Sequence, residues 1–134
     1  MRFVLILLLA VSSPARGAEP ELLEPDKAFR FSAQLRDARS IEINYRIAPG
    51  YYLYRDKFRF TVVPADARLG AAQLPPGRKH RDEFFGEVET YRGDLRIVLP
   101  LETEGAFPPA LSLTALSQGC ADVGVCYVPH EQKA

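Results

Sequence analysis

From residue 41 to residue 47 apolar and polar side chains alternate without a break: Ile41, Ile43, Tyr45 and Ile47 are apolar, and Glu42, Asn44 and Arg46 stand between them. A period of two marks a strand with one buried face, whereas a helix would scatter these residues around its circumference. The pattern returns where Phe58, Phe60 and Val62 alternate with Arg59 and Thr61, and further strands are expected at residues 29–35, 51–54, 68–74, 88–91, 95–101 and 111–116. Pro49-Gly50 and Arg92-Gly93-Asp94 supply tight turns, residues 105–109 a looser one. Pro75-Pro76-Gly77 opens a polar stretch, residues 78–83, expected to be a long loop whose tip carries Phe84 and Phe85. With 11 prolines, nine glycines and no sustained helical period, no segment can serve as a crossover helix between parallel strands. The expected class is therefore all-β, an immunoglobulin-like antiparallel β-sandwich.

The first residues read as an export signal. Met1-Arg2 gives a positive start, residues 3–11 are an unbroken apolar run too short to span a bilayer, and Ala15-Arg16-Gly17-Ala18 offers small residues for cleavage after Gly17 or Ala18. Residues 1–17 are expected to be a cleaved signal peptide, residues 18–28 a loose acidic leader, and residues 29–134 one domain. Removal of Arg2 and Arg16 leaves 15 basic residues against 17 acidic ones, a balance that points to neither nucleic acid nor an anionic membrane as partner. The mature chain is expected to be a soluble monomer without stable membrane insertion.

Two cysteines, Cys120 and Cys126, remain to be explained. In an exported protein such a pair is ordinarily one structural disulfide. A bridge here would close only seven residues, which by the chain-entropy relation contributes about 2.4 kcal/mol, against about 4.3 kcal/mol for a loop of roughly sixty. Gly119 and Gly124 give the backbone freedom to bring the sulfurs together, and the pair follows a strand, where binding groups are often displayed. Three readings stay open on this basis: a redox pair, a permanent bridge, and a metal site, the last short of ligands with only His80 and His130 besides the thiols. No C-x-x-C occurs, so a redox pair here would not draw its reactivity from a helix N-terminus.

Three motifs in order resemble a known family. Gln118-Gly119-Cys120-Ala121-Asp122-Val123-Gly124-Val125-Cys126-Tyr127 is similar to the redox motif of the N-terminal periplasmic domain of the thiol:disulfide interchange protein DsbD, which reads close to Q-G-C-A-D-x-G-x-C-Y. Gly50-Tyr51-Tyr52-Leu53-Tyr54-Arg55 resembles its G-Y-Y-L-Y-R, and Asp82-Glu83-Phe84-Phe85-Gly86 its D-E-F-[YF]-G. The resemblance implies an immunoglobulin-like domain in which Cys120 and Cys126 shuttle between dithiol and disulfide. It implies that Cys126 forms mixed disulfides with partners, that Cys120 closes the internal bridge, and that Phe84 belongs to a cap loop over the sulfurs. Tyr52, Tyr54, Asp82 and Glu83 would surround that site. The implied partners are thioredoxin-like redox proteins: an electron-donor domain on one side, periplasmic disulfide isomerases or cytochrome c maturation proteins on the other. Ser117, where the family often carries an aromatic residue, and Val128, which breaks the usual C-Y-P-P ending, depart from the pattern.

The function expected is periplasmic thiol–disulfide exchange by a protein-disulfide reductase domain acting as electron carrier, with no cofactor and no metal beyond the cysteines themselves. The alternative is a non-catalytic immunoglobulin-like binding or chaperone module with a permanent small-loop disulfide.

Overall fold

The computed structural model describes residues 21–64, 67–102 and 110–134; the expected signal peptide and the expected turn at residues 105–109 lie outside them. A single helical turn, α1 (Pro25–Ala28), leads into β1 (Phe29–Asp37), β2 (Ser40–Ile47), β3 (Tyr51–Tyr54), β4 (Arg59–Val63), β5 (Arg78–Asp82), β6 (Gly86–Tyr91), β7 (Asp94–Pro100), β8 (Ser112–Ser117), β9 (Gly119–Ala121), β10 (Val125–Cys126) and β11 (His130–Lys133). All ladders between them are antiparallel. One sheet has the order β1-β2-β7, a second β10-β9-β3-β6-β5, and a third β11-β8-β4. Because β3 leads into β4 through one 3-10 turn, and β8 into β9 through Gln118 alone, the third sheet continues the second. The expected sandwich is the fold observed.

The alternation at residues 41–47 places its apolar members as expected. Ile41, Ile43, Tyr45 and Ile47 are buried and Arg46 is exposed. They meet Leu95, Ile97 and Leu99 of β7 on their own sheet, and Tyr51, Leu53, Phe58 and Leu113 across the sandwich. Tyr45 packs its ring on Phe31 and Phe58, centroids 5.4 and 5.6 Å away.

Three expected segments differ. Residues 68–74 form no strand: they run beside β7 with isolated bridges at Leu69 and Gln73 only. Gly70-Ala71-Ala72 brings no large side chain to a cross-strand pair, and Pro100 accepts from the Gly70 amide but has no N–H to return. Residues 78–83, expected as a loop, instead supply β5, paired with β6 from Arg78–Thr90 to Asp82–Gly86. Its solvent face is held by opposed charges, Lys79 across from Glu89 and Arg81 across from Glu87. The tip is a three-residue loop closed by Gly86 at φ 74°, the conformation such hairpins require. The leader, where described, is fastened rather than loose: Ala28 is buried, and Asp26 accepts hydrogen bonds from Gln132 (3.2 Å) and shares one with the His130 ring (2.7 Å).

Candidate active site

Strand β3 is buried on both faces. Alternation sends Tyr51 and Leu53 into the main core and Tyr52 and Tyr54 to the opposite side, where they form a second, smaller cluster with Cys120. The ladders extend this face across all five strands. Cys126 lies opposite Cys120, Cys120 opposite Tyr52, Tyr54 opposite Thr90, and Val88 opposite His80, with Asp82 two residues further along β5. Parity along each strand therefore gathers residues more than 70 positions apart without any irregular backbone.

Cys120 and Cys126 form a disulfide, their Cα atoms 4.0 Å apart. They are a cross-strand pair inside the β9–β10 hairpin at the sheet's edge, not members of a loose loop. Cys120 is fully buried and Cys126 half-buried. The hairpin needs both its glycines, each for its own reason. Gly124 sits at φ 97° in the connecting turn. Gly119 is a close approach: a Cβ there would lie 2.5 Å from both the Phe29 ring and the Tyr52 carbonyl oxygen.

Tyr54 links the sulfurs to a carboxylate. Its hydroxyl lies 2.9 Å from Cys120 Sγ and 3.6 Å from Cys126 Sγ, and donates to Asp82 Oδ2. Tyr52 donates to the same oxygen at 3.1 Å, while Asp82 Oδ1 accepts from the backbone amides of Phe84 (3.1 Å) and Phe85 (2.7 Å). One carboxylate thus orients both tyrosines and shapes the loop above them. Burial pushes the Asp82 carboxyl upward, but the hydrogen bonds from Tyr54, Phe85, Tyr52 and Phe84 outweigh it and hold the group below 3.8. Burial pushes the Tyr54 hydroxyl far above its ordinary value, and the adjacent Asp82 adds to the effect.

Of the two loop rings, Phe85 packs edge-on against Tyr54 (4.9 Å) with the Lys57 ammonium over it, and is 42% exposed. Phe84 is 47% exposed. Glu83 reaches toward the cysteine hairpin, where its Oε1 comes within 3.4 Å of the position a Cβ on Gly124 would take. All the residues singled out from the sequence, Cys120, Cys126, Tyr52, Tyr54, Asp82, Glu83 and Phe84, thus fall in one region.

Three further side chains belong to this face. His80 packs on the Tyr52 ring at 5.1 Å, Arg92 lies over that ring at 5.1 Å, and Asp122 binds Arg92 through both oxygens. Asp122 was already visible inside the cysteine motif, whereas Arg92 and His80 carry no sequence signal beyond their parity with Thr90 and Asp82. Among the described residues no group of three or more His, Cys, Asp or Glu side chains is arranged to hold a metal ion.

Residues 19–134 match the family described as thiol:disulfide interchange protein DsbD, N-terminal. This chain belongs to that family. It is 41% identical over 111 residues to thiol:disulfide interchange protein DsbD 1 of Pseudomonas aeruginosa, covering 83% of this chain and 18% of the relative. With DsbD of Ralstonia nicotianae it shares 40% identity over 131 residues, 97% of this chain and 21% of the relative. The chain therefore spans about a fifth of the length of these relatives. The reduced DsbD N-terminal domain of Neisseria meningitidis superposes with a TM-score of 0.75 at 34% identity, covering 84% of this chain and 87% of that one. The complex of that domain with the PilB N-terminal domain gives a TM-score of 0.71 at 32% identity, over 85% and 86%.

Proposed function

We propose that this DsbD N-terminal domain is a periplasmic electron carrier that reduces protein disulfides by thiol–disulfide exchange through Cys120 and Cys126. The observation carrying the proposal is the disulfide itself, closed between the edge strand β10 and its neighbour β9 and in contact with the Tyr54 hydroxyl. A bridge across adjacent strands joins what the ladder already joins, so its value as a staple is small. Its position at a sheet edge, with one sulfur half-buried, suits a bond that is made and broken.

In the exchange the thiolate of Cys126 attacks one sulfur of the partner disulfide. The partner's other sulfur leaves as a thiolate and takes a proton. Cys120, deprotonated in turn, attacks Cys126 Sγ, displacing the partner's second sulfur. Two electrons and two protons have passed to the partner, and the Cys120–Cys126 disulfide remains. The burial of Cys120 and the partial exposure of Cys126 support this division of labour. Because the Tyr54 hydroxyl donates its hydrogen bond to Asp82, its oxygen presents lone pairs to the sulfurs and can accept an S–H. That contact, with the charges of Asp82 and Glu83, favours the thiol over the thiolate and makes the reduced pair slow to react with adventitious oxidants. The loop bearing Phe84 and Phe85 acts as a cap that further limits access.

Thioredoxin-like proteins are the partners proposed, as donors and as acceptors. The Neisseria relative was solved together with the PilB N-terminal domain, which supports docking to another folded domain. Export through cleavage of residues 1–17 would place the domain in the periplasm.

The test is trapping of the mixed disulfide. Cys120→Ala, mixed with a thioredoxin-like protein that lacks its own resolving cysteine and carries an activated disulfide, should accumulate a covalent heterodimer on non-reducing gels, and Cys126→Ala should give little. Predominant trapping through Cys120 would reverse the roles. A reduction potential below about −300 mV would instead fit a permanent bridge in a binding module.

A further inference from the structure

We propose that Arg92 and Asp122 are positioning residues for this exchange, a charge-balanced clamp that holds the turn between the cysteines against Tyr52 and sets how readily the dithiol reacts. The inference rests on the redox reading above and adds two residues to it.

Asp122 is the first residue of the turn joining the cysteine-bearing strands, two positions after Cys120. Its backbone amide donates to the Gly50 carbonyl (2.8 Å), which fixes the turn to the start of β3. Its carboxylate receives both ends of the Arg92 guanidinium, Oδ2 at 2.9 Å and Oδ1 at 2.6 Å. Arg92 follows β6 and lays its guanidinium over the ring of Tyr52, the residue directly across the ladder from Cys120. Tyr52 in turn donates to Asp82. One connected path thus runs from the turn through Arg92 and Tyr52 to the carboxylate beneath the cap.

Stability does not account for this arrangement. The two side chains are 41% and 47% exposed, and exposed pairs contribute about 0–1 kcal/mol. What the pair changes is the charge carried against Tyr52, the residue paired across the ladder with Cys120. The groups facing this site are the carboxylates Asp82, Glu83 and Asp122, the cations Arg92 and Lys57, and His80. The bidentate contact keeps Arg92 and Asp122 ionised together, the Asp122 carboxyl lowered because Arg92 hydrogen-bonds it. While both are present their charges cancel. Losing Asp122 leaves a bare cation near the thiols, which favours thiolate; losing Arg92 leaves a bare anion, which disfavours it.

This opposition gives the test. Reduced wild-type protein, Asp122→Asn, Arg92→Gln and Arg92→Lys are alkylated with iodoacetamide across pH 6–10, and their melting temperatures recorded. Asp122→Asn should react about 3–10-fold faster than wild type at neutral pH and Arg92→Gln slower by a similar factor, a displacement of roughly 0.5–1 pH unit each way. Arg92→Lys should lie nearer wild type than Arg92→Gln does, since it keeps the charge and loses only the fork. Melting temperatures should move by no more than a few degrees. A shift of both Asp122→Asn and Arg92→Gln in the same direction, as simple loosening of the hairpin would give, overturns the proposal; so do rates within twofold of wild type in both. The trapping experiment on Cys120→Ala separately decides the redox reading, so failure of the clamp and failure of that reading are distinguishable.

Discussion

Asp82 performs two tasks that substitution can separate. Its charge lies one hydroxyl away from the sulfurs, and its two oxygens hold Tyr52, Tyr54 and the amides of Phe84 and Phe85. Asp82→Asn removes the charge and keeps an acceptor, so the reduced pair should be alkylated several-fold faster at neutral pH while the cap loop keeps its shape. Asp82→Ala removes both, and should add a loss of stability of about 1–3 kcal/mol from the hydroxyls and amides left unpaired. The acid limb supplies a further check. A carboxyl held below 3.8 in the fold lends stability that is complete above that value and lost as pH falls through the lower folded value. Wild-type melting temperature should therefore drop more steeply below about pH 4 than that of Asp82→Asn; parallel acid limbs would show that these hydrogen bonds do not favour the ionised form. Gly119 makes a second case at this scale. Read from the sequence as a source of freedom, it is in the structure a contact position, because β9 passes too close to Phe29 and Tyr52 for any side chain. Gly119→Ala should cost about 2–4 kcal/mol in urea unfolding, and a loss below 0.5 kcal/mol would mean the strand can move aside.

At the scale of elements, what could be read from the sequence tracks how each strand is buried. Strands β2, β7 and β8 bury one face, so their alternation is plain in Ile41 to Ile47, in Leu95, Ile97 and Leu99, and in Leu113 and Ala115. Strand β5 has no apolar face because one side, His80 and Asp82, lines the site and the other meets water, and a strand of that kind looks like a loop. Strands β9 and β10 are two or three residues long, below the length at which a period can be seen. The site was legible through its cysteines and motif residues, yet Arg92 was hidden, since a charged residue beside a Gly-Asp turn has an ordinary explanation. The cap hairpin yields a prediction of its own. Phe84 and Phe85 are both more than two-fifths exposed, so neither alanine variant should cost more than about 1 kcal/mol. Phe84→Ala and Phe85→Ala should both speed alkylation of the reduced cysteines, Phe85→Ala through its lost packing on Tyr54. An unchanged rate together with a large loss of stability would make either ring a core residue rather than a cover.

For the whole molecule the question is what remains when the disulfide opens. Among the described residues the two sheets share a core of sixteen buried residues that includes neither cysteine, and the cysteines belong to a separate small cluster at its margin. The hairpin bearing them has other attachments: β9 pairs with β3, the Tyr127 amide donates to the Gly119 carbonyl at 2.9 Å, and Tyr127 packs edge-on against Phe29 at 5.7 Å. The Tyr127 hydroxyl also donates to the Leu23 carbonyl, and the Leu23 amide donates to the Tyr51 hydroxyl at 2.8 Å, so the segment before β1 straps the chain just beyond Cys126. Opening the bridge therefore releases one short loop from a sheet that is otherwise tied. The entropy of that loop sets the scale of the effect at about 2.4 kcal/mol, equivalent to a fall in melting temperature of no more than about 15 °C for a domain of this size. Reduced protein should keep its far-UV circular dichroism and melt in one cooperative transition. Loss of cooperative melting on reduction would mean that the disulfide holds the sandwich together, and the exchange proposed for it would then require the domain to unfold at every turnover.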